Sequence, residues 1–195
     1  MKNRTEKRIE KLTRVIKSRQ PSLKIVLENI HDRRNVSAIF RTCDAAGIPK
    51  VSLIYNVEKF PRIGKKSSAS AFKWVEKDKF KTVEECYAAL RKDGYKILAS
   101  AISENAVSVY EIDFTKKCAI VMGNENRGLS FEAIEQADLQ FKIPMFGMVQ
   151  SLNVSVSAAI VVYEALRQRI KSHKFDKSEL SEKQIADMLN LWSEK

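Results

Sequence analysis

Residues 118–130 read Cys118-Ala119-Ile120-Val121-Met122-Gly123-Asn124-Glu125-Asn126-Arg127-Gly128-Leu129-Ser130: five apolar residues in a row, then a polar loop with a glycine at each end. A strand with one wet face alternates apolar and polar side chains. An unbroken apolar run belongs instead to a strand covered on both faces, as in a parallel sheet. The glycines let the backbone turn tightly and let a ligand approach it closely, and Ser130 is placed to cap a helix over 131–136. Working outward, the same apolar signature recurs at 24–27, 51–55, 95–101 and 139–143. Helical patterns lie between, at 36–46 after Asn35 and at 83–92, where Thr82 and Glu85 have capping-box spacing. Strands and helices alternating from 24 to 143 define an α/β fold, a three-layer sandwich with a mostly parallel sheet.

The chain's 195 residues suit one such domain with short extensions. Its 44% hydrophobic and 30% charged residues exclude a disordered chain. No apolar stretch reaches the roughly 18 residues of a membrane span. The start, MKNRTEKRIEK, has cations without the apolar segment of a signal peptide. The reading is therefore cytoplasmic, with no membrane partner. Cys43, Cys86 and Cys118 show no C-x-x-C spacing and have only two histidines beside them, so neither a metal site nor a disulfide framework is expected.

Thirty-five Lys and Arg against 24 Asp and Glu give a formal charge of +11, which points to a polyanionic partner. Residues 1–19 carry Lys2, Arg4, Lys7, Arg8, Lys11, Arg14, Lys17 and Arg19 against Glu6 and Glu10. Ile9, Leu12 and Ile16 recur among them at helical spacing, giving an amphipathic helix with a cationic outer face, ended by Pro21. Residues 154–166, VSVSAAIVVYEAL, are apolar on nearly every side, which requires more than one covering neighbour, from the core or from a second subunit. Ser181 and Gln184 open a last short helix towards Trp192.

Ligands of open α/β sheets bind beyond the carboxyl ends of strands, and three loops there are unusual. In His31-Asp32-Arg33-Arg34-Asn35, Asn35 reads either as a helix cap or as a site residue. Arg41, nearly two turns on, is flanked by Ile39 and Phe40, so it is either paired with a carboxylate or directed into a site. Glu125, between Gly123 and Gly128, is a candidate partner for Arg41 or for a ligand hydroxyl. The third loop, Ile143-Pro144-Met145-Phe146-Gly147-Met148-Val149-Gln150-Ser151-Leu152-Asn153, has an apolar body and polar end, suited to a flat ligand such as an adenosine. The dinucleotide, P-loop, serine-hydrolase and zinc-protease signatures are all absent.

Together, Asn35-Val-Ser-Ala-Ile-Phe-Arg41-Thr, Met122-Gly-Asn-Glu125-Asn-Arg-Gly-Leu and Ile143-Pro-Met-Phe-Gly-Met-Val-Gln-Ser151-Leu-Asn153 resemble the three motifs of the SPOUT superfamily of RNA 2'-O-methyltransferases. The resemblance is closest to its TrmH branch, which acts on the D-loop guanosine at tRNA position 18. It extends from the basic first helix to about Lys174. It implies a C-terminal trefoil knot, a homodimer, and S-adenosylmethionine as methyl donor. The implied domains are a basic helical extension over 1–20, the SPOUT domain over 21–172 and a helical extension over 173–195. The cofactor site would be lined by Ser100, Gly123, Ile143, Met148, Ser151 and Leu152. Arg41 would be the central catalytic residue, supported by Asn35, Glu125, Ser151 and Asn153. Departures from the family pattern are Asp32-Arg33-Arg34, Asn126-Arg127 and Ser67-Ser68-Ala69-Ser70-Ala71. The charge clusters at the two ends nominate Arg8, Arg19, Arg33, Arg34, Arg167 and Arg169 for phosphate contacts with tRNA. Ribosomal RNA or another tRNA site, and a noncatalytic RNA-binding role, stay open as alternatives.

Overall fold

The computed structural model describes residues 6–61 and 71–195, so Lys2, Arg4 and Ser67 to Ser70 lie outside the described residues. In chain order the elements are α1 (Glu6–Lys17), β1 (Leu23–Glu28), α2 (Arg33–Ala45), β2 (Lys50–Ile54), α3 (Ala71–Trp74), β3 (Glu76–Phe80), α4 (Val83–Lys92) and β4 (Lys96–Ser100). They continue with β5 (Val107–Ser108), β6 (Cys118–Met122), α5 (Phe131–Glu135), β7 (Leu139–Lys142), α6 (Val154–Lys171) and α7 (Glu182–Ser193). Seven strands form one sheet in the order β3-β2-β1-β6-β4-β7-β5, with every pairing parallel.

The register explains the unbroken apolar runs. Val51, Ile25, Ile120, Leu98 and Leu139 are successive partners across the sheet and point into one core, which α2 and α6 close with Ile39, Phe40, Ala158 and Val162. Their neighbours Val26, Val121 and Ala99 point into a second core, closed by α4 and α5 with Tyr87, Leu90 and Ala133. Each central strand therefore has no wet face, the arrangement of parallel sheets covered on both sides. The caps at Thr82, Ser130 and Ser181 form as the sequence predicts.

At three points the structure departs from or adds to the local reading. The cap of α2 is Asp32, whose carboxylate accepts from the Arg34 N–H at 2.7 Å; the helix starts earlier than predicted, and Asn35 lies inside its first turn. β3, with the sequence EKDKF, has no apolar signature because it is an edge strand held by its backbone pairing with β2. The 154–166 helix is longer, and within one chain Val156, Tyr163 and Ile170 leave an uncovered stripe at seven-residue spacing.

The first and last of the described helices meet. Leu12 and Ile16 of α1 pack with Ile185 and Trp192 of α7 in a separate apolar cluster, where Trp74 lies 4.8 Å from the Trp192 ring. Arg19 and Arg169, expected at the surface as phosphate contacts, are instead fully buried. The Arg19 guanidinium pairs with Asp44 at 2.6 Å and stacks 5.0 Å above Trp192. Arg169 donates to the carbonyls of Phe114 (2.9 Å) and Lys116 (3.0 Å), to Ser22 Oγ (2.8 Å) and to Gln20 Oε1 (3.1 Å), with Glu179 at 3.4 Å. A phosphate cannot reach either group. Both neutralise and stitch the interior, and the phosphate-contact assignment is withdrawn for them. Among the described residues no helix is long and apolar enough to cross a membrane.

Candidate active site

A cavity of about 470 Å³ opens beyond the carboxyl ends of β4, β6 and β7. Its wall after β6 is set by backbone chemistry. Asn124 and Gly128 pair through two backbone hydrogen bonds of 2.9 Å, closing the loop on itself. Gly123 sits so close to the returning strand that a Cβ there would lie 2.3 Å from the Gly128 carbon and the Leu129 nitrogen. Only a glycine fits that approach. Gly123→Ala is expected to force the loop apart and cost about 1–3 kcal/mol in chemical denaturation; an unchanged midpoint would contradict the close approach.

Glu125, partly buried in this loop, reaches back to the start of α2. Its carboxylate accepts from the backbone N–H of His31 (3.0 Å) and of Asp32 (3.1 Å) and from Asn35 Nδ2 (2.9 Å). Asn35 Oδ1 accepts in turn from Asn153 Nδ2 (3.1 Å), and the Asn153 side chain caps α6 by accepting from Ser155 N–H (2.8 Å). Three loops distant in sequence thus share one hydrogen-bonded chain, Glu125–Asn35–Asn153. Of the two partners the sequence offers Glu125, Arg41 or a ligand hydroxyl, Arg41 forms no ion pair with it among the described residues, because its side chain stands exposed on α2.

Desolvation pushes the Glu125 carboxyl upward, but hydrogen bonds from Asn35, His31 and Asp32 outweigh it and hold the group below the ordinary carboxylate range. A depressed folded-state value stabilises the fold fully above the unfolded value of 4.5, and that contribution disappears as pH falls through the folded value. In urea melts from pH 6 to pH 3, the stability gap between the parent and Glu125→Gln is expected to shrink below pH 4.5. A gap independent of pH would overturn the assignment.

Of the residues nominated for the cofactor, Ser100, Gly123, Ile143, Ser151 and Leu152 line this cavity. Met148 does not: it is 99% exposed on the outward turn of the 143–153 loop. Glu125 and Asn153 also line the cavity, with Asn35 bonded to both. Arg41 is exposed on α2 and stands outside the cavity lining; the flanking Ile39 and Phe40 are buried without taking it inward. Of the nominated RNA contacts, Arg8, Arg33, Arg34 and Arg167 are exposed, although Arg34 is paired with Asp32 and Arg167 with Glu164 in the same segments.

The sequence reading missed several contributors. Met122, Leu129 and Ile102 supply the apolar wall, and Arg127, at the rim, is held by Glu58 at 2.9 Å. Asn29 and Asn124 are buried amides immediately beyond β1 and close behind β6. An amide directly after an apolar strand is the local signal that would have found them.

The SpoU rRNA Methylase family profile matches residues 22–163. A Thermus thermophilus protein named tRNA (guanosine(18)-2'-O)-methyltransferase is 41% identical over 193 residues, covering 97% of this chain and 99% of that protein. The crystal structure of the Aquifex aeolicus TrmH/SpoU tRNA modifying enzyme superposes with a TM-score of 0.90 at 36% identity, covering 97% of this chain and 96% of that one. The SpoU methyltransferase AviRb from Streptomyces viridochromogenes, solved in complex with the cofactor AdoMet, gives a TM-score of 0.69 at 27% identity, covering 80% of this chain and 64% of that one. A match of that extent in both sequence and fold means that this chain belongs to the SpoU rRNA Methylase family.

Proposed function

We propose that the chain is an S-adenosylmethionine-dependent tRNA 2'-O-methyltransferase acting on the ribose of the D-loop guanosine at position 18. The observation that carries this reading is the Glu125–Asn35–Asn153 chain at the edge of a cavity walled by the loops after β6 and β7. It is supported by the activity named for the Thermus relative along nearly the whole chain.

The cavity fits the donor. Its volume of about 470 Å³ is that of a small-molecule site. Met122, Leu129, Ile143 and Leu152 offer an apolar bed, with Ser100 and Ser151 as polar ends. When bound, S-adenosylmethionine supplies an electrophilic methyl on a sulfonium. Transfer forms an oxygen–carbon bond as the carbon–sulfur bond breaks, and the hydroxyl proton must leave. Holding the reacting atoms in line accounts for several kcal/mol of the barrier, of order 7 in well-aligned cases. Arg41, a permanent cation with a planar fork of donors, is read as the group that grips the substrate phosphate and offsets charge growing on the attacking oxygen. The hydroxyl proton passes to water as the oxygen attacks, and the cation offsets the negative charge that its departure leaves on that oxygen.

Arg41 stands apart from the cavity of its own chain, so the reading includes a homodimer in which it serves the cavity of the second copy. The uncovered Val156–Tyr163–Ile170 stripe of α6 and the exposed Phe146, Met148 and Val149 support such an interface. α2, which carries Arg41, packs on α6, which carries the stripe, so the reading sets both helices at that interface. The trefoil knot belongs to the same reading, supported by β7 taking its place between the earlier strands β4 and β5. So do the division at 1–20, 21–172 and 173–195 and a cytoplasmic location.

The test is incubation with S-adenosylmethionine and an unmodified tRNA transcript, followed by nuclease digestion and mass spectrometry. One 2'-O-methyl on the D-loop guanosine is expected; methyl on another nucleotide, or on ribosomal RNA only, replaces the substrate. Binding of tRNA is expected to weaken with salt at a log–log slope of about −3 to −4 if Arg8, Arg33, Arg34 and Arg167 each neutralise a phosphate. Arg8→Gln should reduce that slope by about 1, and a flat salt dependence refutes the phosphate assignment.

A further inference from the structure

Asn29 is 5% exposed and sits at φ 51°, in the left-handed region that asparagine tolerates better than other side chains. Every polar group it owns is used. Its backbone N–H donates to Ile54 O (2.9 Å) and its Nδ2 to Asn56 Oδ1 (2.7 Å). Its Oδ1 accepts three successive backbone N–H groups, from Asn56, Val57 and Glu58, at 3.2, 3.1 and 3.1 Å. Its backbone carbonyl accepts from Asn124 Nδ2 at 2.7 Å, while Asn124 Oδ1 accepts from Asn126 and Arg127 N–H at 3.0 and 3.2 Å.

The side-chain amide of Asn29 holds residues 56–58, and its main-chain carbonyl holds the Asn124 amide. Asn124 shapes the loop that walls the cavity, and Asn29 holds Asn124 in place. The same Asn29 fixes the backbone at Glu58, whose carboxylate takes Arg127 from that loop at 2.9 Å and lies 3.4 Å from His31 Nδ1. Asn29 ties the ends of β1, β2 and β6 together, and no atom of it need touch a ligand to set the cavity's shape.

We propose that Asn29 is a positioning residue of the methyl-transfer site, holding the Gly123–Gly128 loop in the form that binds the methyl donor. The inference rests on the donor site proposed above. Asn29→Gly keeps the left-handed backbone available and removes only the side chain, leaving three N–H groups without their acceptor. Asn29→Asp keeps that acceptor, and rotation of the Asn56 amide supplies a donor to its second oxygen.

The experiment is calorimetric titration of parent, Asn29→Gly and Asn29→Asp with S-adenosylmethionine, alongside tRNA binding and circular dichroism of each. For Asn29→Gly we expect donor affinity to fall about tenfold or more, with tRNA affinity within about twofold of the parent because the phosphate-contacting arginines are untouched. Asn29→Asp should recover most of the loss. Donor binding by the parent with unchanged affinity in Asn29→Gly overturns the positioning role alone, and equal losses of donor and tRNA affinity show a general structural role and overturn it too. If Asn29→Gly does not fold, Asn124→Ala takes its place with the same expected split, and equal donor affinity there overturns the proposal. A parent that binds no S-adenosylmethionine overturns the donor site and this inference together.

Discussion

Replacing Arg41 with lysine is expected to lower single-turnover methylation by about 100-fold or more while donor affinity stays within about twofold. Removing one preorganised donor to a developing oxyanion costs that much in other enzymes, and an ammonium cannot reproduce a planar fork gripping phosphate and hydroxyl at once. Donor affinity should hold because Arg41 is read as gripping the substrate phosphate and hydroxyl and not the donor. A rate near the parent's would refute the role. The dimeric part of the reading has its own readout, a mixture of Arg41→Ala and Gly123→Ala chains refolded together. If Arg41 serves the opposite copy, half the dimers are mixed and each holds one complete site, so about a quarter of parental activity returns. If it serves its own chain, no site in the mixture is complete and activity stays at the background of the single variants.

The second large effect is on stability. Arg169→Ala should cost about 3–5 kcal/mol in chemical denaturation, a large part of the margin of a typical domain. The guanidinium is fully buried and bridges the entry to β1, the segment before β6 and the chain leading to α7. Without it the Phe114 and Lys116 carbonyls lose their donor and Glu179 loses its cation. Arg169→Lys should recover only part of this, since one ammonium cannot span carbonyls on opposite sides of the fork. Arg167→Ala, two residues away and paired with Glu164 at the surface, should cost far less than Arg169→Ala. A similar midpoint for Arg169→Ala would mean that the buried contacts contribute nothing net.

What the sequence made legible was what depends on neighbours along the chain. Cys118–Met122 announces a buried strand because burial on both faces removes polar alternation, and Ser130 announces a helix start because capping spans only three residues. β3 was silent because an edge strand takes its order from backbone pairing, which charged residues supply as well as valine. Of the two readings of Asn35, cap or site residue, the cap fails because Asp32, three residues earlier, takes that role. Arg19 and Arg169 looked like surface cations because an arginine's spacing carries no sign of its partners. Those partners lie at Asp44 and Trp192 for one and at Ser22, Phe114 and Glu179 for the other. The motif residues Asn35, Glu125 and Asn153 stood out by the resemblance, and the structure joins them by hydrogen bonds. Asn29 and Asn124, 95 residues apart, could be paired only by folding the chain.

The meeting of α1 with α7 sets an order of events during synthesis. Chains emerge from the ribosome amino end first, at about 5–20 residues per second. The apolar side of α1 has no Ile185 or Trp192 to rest on until α7 is translated. The sheet and both of its cores can close before then, but the cationic helix is secured only once α7 has been made. A nascent chain therefore withholds its finished basic face until α7 emerges, and a ribosome that stops before it releases a product with its sheet built and that helix adrift.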